Sequence, residues 1–407
     1  MPPPGVTDLQ VPAARPCGLD ANTMLRRFRR GLADASSFML VASDPLVIAA
    51  ARDASRRLNG PRPVHIVSGA EALHRLVGPG QPPRQLVLEG GTAGGILLSA
   101  ASDPFSSTDV IIVARPGDAV PAGLRAVPAE GESLAEALAT PRPGQAAPTG
   151  DAAALADGLA RGEITVRFQP VVRLADRRAV MVEALARWER PHAAYGPNSF
   201  VSIAERSGLA LDLSFSVARQ ALAGMNGAAF RQGLRMSFNT PLTVMLRPDL
   251  PSRLTDMVAK AGQRPEMVML ELTESMAVRD TALLRRALDR LERAGFGVLL
   301  DDLVLDDPRS ALLDLPFAGV KLDRSLLAEL PTRRRARAQV ERLAREAHRR
   351  GRVVIAEGVN TAAQWRLVAA AGCDMAQGYG VGRPIQPAAL PAWGAAWRAA
   401  GLAPGQA

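Results

Sequence analysis

The sequence predicts an α/β chain of two domains, a smaller doubly wound unit followed by a (β/α)8 barrel of the TIM type. Three observations predict it. Short apolar strand-like segments alternate with amphipathic helical ones along most of the chain. A run rich in proline, glycine and small residues, PRPGQAAPTG at 141–150, interrupts that alternation. Beyond it, strand-like segments end in polar residues that a buried strand should avoid. An open doubly wound sheet would show the same alternation; the placement of the polar residues is what favours the barrel.

Taken in order, residues 1–35 mix proline, glycine and charge without periodicity, and read as a flexible tail with one basic helix, LRRFRRGLA. Over 36–140 the segments FMLVASD, PVHIVSG, QLVLEGG and DVIIVARPG read as strands. PLVIAAARDASRRL, AEALHRLVG and SLAEALA read as helices, giving an α/β unit with a parallel sheet. Residues 141–150 form a linker. Over 151–400 a helix, DAAALADGLARGEI, opens the barrel. The strands TVRFQPVV, VMVEALARW, LRMSFNT, VMLELTES, FGVLLDDL, AGVKLD, RVVIAEGV and DMAQGYG follow, with helices between them. The arginine-rich RRRARAQVERLAREAHRR places alanines, Val340 and Leu343 at helical spacing opposite its arginines, the pattern of a helix with one solvated face.

At 407 residues the chain is long enough for two cores. No apolar run approaches the roughly 18 residues that cross a bilayer, and MPPPGVTDLQ lacks the charged and apolar regions of a signal peptide. The expectation is a cytoplasmic protein with no membrane partner. Cys17 and Cys373 show neither a disulfide framework nor zinc-ligand spacing. A net charge of +9 suits a phosphodiester ligand as well as nucleic acid or anionic lipid. With aromatics at 4% and no DNA-reading motif, nucleic acid is not expected.

The polar strand ends are Glu183, Asn239, Glu271, Asp301 with Asp302, Lys321, Glu357 and Gln377. A barrel brings them to one rim. Five carboxylates so gathered repel one another unless cations neutralise them. An all-oxygen set with one amide and no histidine or cysteine favours Mg2+ or Mn2+, and the adjacent Asp301 and Asp302 are suited to bridging two ions. Two metals about 3.5 to 4 Å apart, with a lysine nearby, suit in-line attack of water on a phosphodiester.

Glu183-Ala184-Leu185 within EALARW, followed in order by SFNT, ELTES, the Asp301-Asp302 pair, VKLDRS, IAEGVN and CDMAQGYG, and preceded by FQP, resembles the EAL family of cyclic di-GMP phosphodiesterases. The resemblance implies hydrolysis of one phosphodiester bond of cyclic di-GMP, giving linear pGpG. It implies that Glu183, Asn239, Glu271 and Asp301 hold one metal, and Asp301 and Asp302 the second. Lys321 and Glu357 would position and activate water, Gln377 would fix water or substrate, and Gln169 and Arg187 would contact the ligand. Arg187 stands four residues after Glu183, on the same side of an extended strand. A homodimer through the barrel is implied as well.

The chain departs from the family's DDFGTGYSSL after the paired aspartates, where it reads Leu303-Val304-Leu305-Asp306-Asp307-Pro308-Arg309-Ser310. Both glycines are lost, so another backbone path is expected. Asp306 and Asp307 add negative charge, and Glu274, which in the family braces this loop, is kept. The loop leaves open a binding-only receptor as the alternative to a hydrolase, with a protein-interaction scaffold as a third reading. The N-terminal pattern resembles a response-regulator receiver. Asp44 is kept, but Glu89 stands at the phosphoacceptor position, Ala114 replaces the hydroxyl and RAVPAEGES offers no lysine. The expectation is a degenerate receiver that binds a regulatory protein rather than accepting a phosphoryl group.

Overall fold

The computed structural model describes residues 38–58, 62–77, 83, 85–90, 97, 108–115, 118, 120, 124–140, 152–190, 193–225, 233–273, 278 and 280–401. The expected tail at 1–35, the linker at 141–150 and Glu274 lie outside the described residues.

The first unit has strands β1 (Phe38–Val41), β2 (Val64–Ile66), β3 (Gln85–Glu89), β4 (Asp109–Val113) and β5 (Arg125–Val127), all parallel in the order β2-β1-β3-β4-β5. That order is one of the doubly wound arrangements. Its three central strands, β1, β3 and β4, are apolar on both faces because both are covered. Phe38, Leu40, Val87, Ile111 and Val113 pack with helices α1 (Pro45–Arg57) and α3 (Gly131–Ala139). Met39, Leu86, Leu88 and Ile112 share a cluster with Ala72 and Leu76 of α2 (Gly69–Val77). Asp44 caps α1 through Leu46 N at 2.8 Å and pairs with Arg115. Glu89, at the end of β3, accepts from the amides of Ser43 at 2.6 Å and Asp44 at 3.1 Å.

The second unit opens on α4 (Ala152–Ala160) and contains all eight expected barrel strands: β6 (Ile164–Arg173), β7 (Ala179–Arg190), β9 (Arg235–Thr240), β10 (Val268–Leu272), β11 (Gly297–Leu303), β12 (Gly319–Leu322), β13 (Val353–Ala356) and β14 (Met375–Gln377). They pair in the ring β6-β14-β13-β12-β11-β10-β9-β7, and a β6–β7 ladder closes it. The short β8 (Ala193–Tyr195) adds to β7 outside the ring.

One strand departs from an all-parallel barrel. β6 runs antiparallel to both β7 and β14. Only a tight turn joins β6 to β7, and a parallel pair would have needed a crossover. Gln169 therefore lies mid-strand, directly opposite Glu183 in the ladder. That turn is fastened to the last helix of the barrel, Leu390–Gly401: the Arg177 guanidinium lies 4.2 Å over the Trp397 ring, and Trp397 Nε1 donates to the Arg177 carbonyl at 2.6 Å.

The remaining barrel helices of seven residues or more, in order, are α5 (Val201–Ser207), α6 (Ala210–Gly224), α7 (Leu250–Lys260), α8 (Thr281–Arg293), α9 (Arg334–Arg349) and α10 (Ala362–Ala370). Side-chain caps start two of them: Asp280 accepts from Leu283 N at 2.8 Å, and Thr361 with Gln364 forms a capping box. On α9 the buried residues are Ala336, Gln339, Val340, Leu343, Ala344 and Ala347, and the arginines face out as the pattern predicts. Among the described residues, no helix is long and apolar enough to cross a membrane.

Candidate active site at the barrel rim

Inside the ring an apolar layer underlies the polar one. Val171, Met181, Met269, Leu299 and Ile355 form one buried cluster, with Met375 packed against it. Each stands two residues from a polar position, respectively Gln169, Glu183, Glu271, Asp301, Glu357 and Gln377. A strand's period of two points both members of each pair into the barrel. Lys321 has Gly319 beneath it, where a Cβ would meet the Val353 carbonyl oxygen at 2.7 Å. The charged layer is thus floored by hydrocarbon, so charges there are poorly solvated.

Lys321 is the centre of that layer. It is 1% exposed, and its Nζ lies 2.6 Å from Glu357, 2.8 Å from Glu271, 3.0 Å from Asp301 and 3.2 Å from Glu183. Gln377 Nε2 donates to Glu183 at 2.6 Å and to Gln169 Oε1 at 3.1 Å, and Asn239 Nδ2 donates to Glu183 at 3.1 Å.

Asp301 and Asp302 are neighbours, and strand alternation alone would send them to opposite faces. The structure solves this with a bulge. β11 advances from Leu300 to Leu303 while β12 advances from Val320 to Leu322, and Asp302 takes φ of 54°. Both aspartates line one cleft, and oxygens of Asp301, Asp302 and Glu357 can lie within 4.8 Å of one another.

One ammonium cannot balance this many acids. Burial opposes the charge of Lys321, but Asp301, Glu183, Glu271 and Glu357 outweigh it and hold the lysine well above its ordinary range. Burial also opposes ionisation of Glu183, where Lys321, Gln377 and Asn239 prevail and keep the carboxyl below its usual value. Burial, reinforced by the charge on Glu183, pushes Glu271 well up. Asp301 rises because it is buried, against the pull of Lys321. Burial likewise pushes Glu357 up to about 8. Glu271, Asp301 and Glu357 hold protons because they are buried and one ammonium does not offset the mutual repulsion of these acids.

Buried oxygens there, among them Asn239 Oδ1, Glu271 Oε1 and Gln377 Oε1, have no hydrogen-bond partner among the described residues. Orphaned hard oxygens beside excess negative charge fit a hard divalent cation.

The cleft has a volume of about 560 Å³. Gln169, Glu183, Asn239, Asp301, Asp302, Lys321, Glu357 and Gln377 all line it, so most of the polar residues singled out in the sequence converge. Arg187 is buried on β7, donates to the Ala186 carbonyl at 2.8 Å, and is not among the lining side chains. Sequence reasoning missed Ser202, Glu205 and Ser214, which line the cleft from α5 and α6. They carry no strand-end signal, because their position depends on how those helices fold over the rim.

The segment after Asp302 corrects one expectation. Asp306 and Asp307 do not leave uncompensated charge at the site. Asp306 pairs with Arg335 at 2.8 Å. Asp307 is buried and pairs with Arg309 at 2.8 Å; burial raises its carboxyl, but Arg309 prevails and holds it below its usual range. The second glycine of the family string is replaced here by Asp306. Asp306 itself adopts φ of 59°, which aspartate tolerates better than most residues. Gln339 of α9 brackets this turn, accepting from Asp306 N at 2.9 Å and donating to the Val304 carbonyl at 3.0 Å. Arg309 reaches back to the carbonyls of Asp301 at 3.0 Å and Asp302 at 2.6 Å.

Comparison with known proteins matches residues 152–384 to the EAL domain. An uncharacterized signaling protein of Caulobacter vibrioides is 33% identical over 251 residues, covering 60% of this chain and 30% of that protein. The cyclic di-GMP phosphodiesterase PA2567 of Pseudomonas aeruginosa is 30% identical over 229 residues, covering 56% of this chain and 39% of its own. The chain thus spans well under half the length of these relatives. Among solved structures, that of the PaMucR phosphodiesterase in complex with c-di-GMP superposes with a TM-score of 0.54 at 27% identity, covering 58% of this chain and 97% of the other.

Proposed function

Because this chain belongs to the EAL domain family, we propose that its barrel hydrolyses cyclic di-GMP to linear pGpG at the rim cleft, using Mg2+ or Mn2+. The observation that carries this is the convergence on Lys321 of four carboxylates, from β7, β10, β11 and the residue that follows β13, 2.6 to 3.2 Å away. Such a cluster is costly to bury and is explained by cation binding.

In this reading Glu183, Asn239, Glu271 and Asp301 hold one cation, and Asp301 and Asp302 the second. Bound there, the cations neutralise a phosphodiester and make a water more acidic. Glu357 is the most exposed of the four carboxylates around Lys321 and faces the cleft, where it is placed to accept a proton from an attacking water. Lys321 orients Glu357 and offsets its charge. Gln377, held between Gln169 and Glu183, directs its amide at the same space. Contact from Arg187 to a substrate phosphate requires its guanidinium to leave the Ala186 carbonyl. Homodimerisation, and contact of the N-terminal unit with a regulatory protein, are further parts of the proposal.

A binding-only receptor was the alternative raised by the altered loop. The compensation of Asp306 and Asp307 within that loop weighs against it. Incubation of the purified chain with cyclic di-GMP and Mg2+ or Mn2+, with products separated chromatographically, is expected to yield pGpG. Binding in Ca2+ with no pGpG in either catalytic metal would establish the receptor instead.

A further inference from the structure

We propose that Arg309 is a positioning residue for the paired aspartates: its guanidinium holds the bulge that turns both carboxylates into the cleft, and Asp307 aims the guanidinium. This rests on the metal-site reading above, since the oxygens being positioned are those of that site.

The bulge needs a restraint. Adjacent residues face one cleft only because β11 carries an extra residue against β12 and Asp302 sits in the left-handed region at 54°. A bulge leaves ladder groups without their regular partners, and left-handed backbone is unfavourable for a residue with a side chain. Arg309 meets both needs with one rigid fork. One terminal nitrogen takes the Asp301 carbonyl at 3.0 Å, and the other takes the Asp302 carbonyl at 2.6 Å.

The fork is itself fixed. Asp307 accepts from Arg309 Nε at 3.2 Å and from its terminal nitrogen at 2.8 Å. It also accepts from the backbone amides of Arg309 at 2.8 Å and Val304 at 3.4 Å. Asp307 is 6% exposed, so this pair is screened little by water. The clamp lies in the very segment that lacks the family's glycines. The same eight residues that raise doubt about the site therefore contain the device that supports it.

The test is calorimetric titration of the full chain with Mn2+ alone for wild type, Arg309→Gln and Arg309→Lys, with circular dichroism to verify folding. Arg309→Gln is expected to weaken Mn2+ binding about tenfold to a hundredfold, the usual cost of losing a group that orients metal ligands. Arg309→Lys should fall between, because an ammonium lacks the planar fork that serves both carbonyls at once. In turnover, the half-saturating Mn2+ concentration should rise while kcat recovers at high metal. Loss of folded protein would lower amplitude at an unchanged midpoint, and that outcome overturns the proposal. Mn2+ binding by both variants within twofold of wild type overturns it as well, with Arg309→Lys deciding if Arg309→Gln does not fold. Wild type that binds no Mn2+ overturns the metal-site reading along with it, whereas normal wild-type binding with unchanged variants removes the clamp alone.

Discussion

Replacing Lys321 with methionine keeps the length of the stem and removes the ammonium that four carboxylates share at 2.6 to 3.2 Å. Lys321, Glu183, Glu271 and Asp301 are all 5% exposed or less, so solvent cannot replace the lost partner. Removing one member of a buried pair costs about 3–5 kcal/mol, because the remaining charge stays buried. Each kcal/mol shifts the melting temperature of a domain of this size by roughly 2–4 °C. The variant is therefore expected to melt about 6–20 °C below wild type in EDTA near pH 8. Acidification should narrow the gap, since Glu271 and Glu357 already favour the protonated form and protonation relieves the repulsion. Millimolar Mn2+ should narrow it too, by supplying the missing charge. The assay is calorimetry or circular dichroism melting across pH, with and without metal. A metal-free variant that melts within about 2 °C of wild type near pH 8 would refute the electrostatic account.

Further outcomes follow from the same structure. Metal-free wild type should lose stability as pH rises from the ordinary glutamate range toward 8. Native Glu357, pushed up to about 8, keeps a proton that the unfolded chain has released, and saturating Mn2+ should abolish the slope; melting that rises with pH in EDTA would contradict this. Asp306→Gly is expected to stay within about 1 kcal/mol of wild type, since relief of left-handed strain offsets an exposed ion pair. Asp307→Gly should cost more, about 1.5–3 kcal/mol, because it removes a buried carboxylate that accepts from the part-buried Arg309 guanidinium, so equal denaturant midpoints for the two variants would be incompatible with the clamp. The Cys373 thiol is buried and pushed up to about 12; in a Cys17→Ala background it should resist thiol reagents near pH 8 until denaturant is added, and prompt labelling of native protein would count against its burial.

Much of this was legible in the sequence. Short apolar runs located all eight barrel strands, because a strand buried within a barrel must be apolar up to the rim. A glutamate, lysine or glutamine ending such a run, as at Glu183, Lys321 and Gln377, is conspicuous for that reason. Arg187 shows where the same logic stops. Its spacing from Glu183 places both on one side of β7, yet its guanidinium turns to a neighbouring carbonyl instead of the cleft.

What the sequence alone determined is the alternation of elements, the residue types at the strand ends and the likeness to one family, since all three are written in local order. Tertiary structure decided the antiparallel course of β6, the bulge that makes neighbours Asp301 and Asp302 face one cleft, and the placing of Lys321 among four acids. It also turned the altered loop from an apparent defect into a support, through Arg309 and Asp307. The reason is the range of the forces involved. Periodicity reports the solvent exposure of each residue along its own segment, whereas register, bulges and shared ion pairs depend on partners that only the closed ring brings within 3 Å.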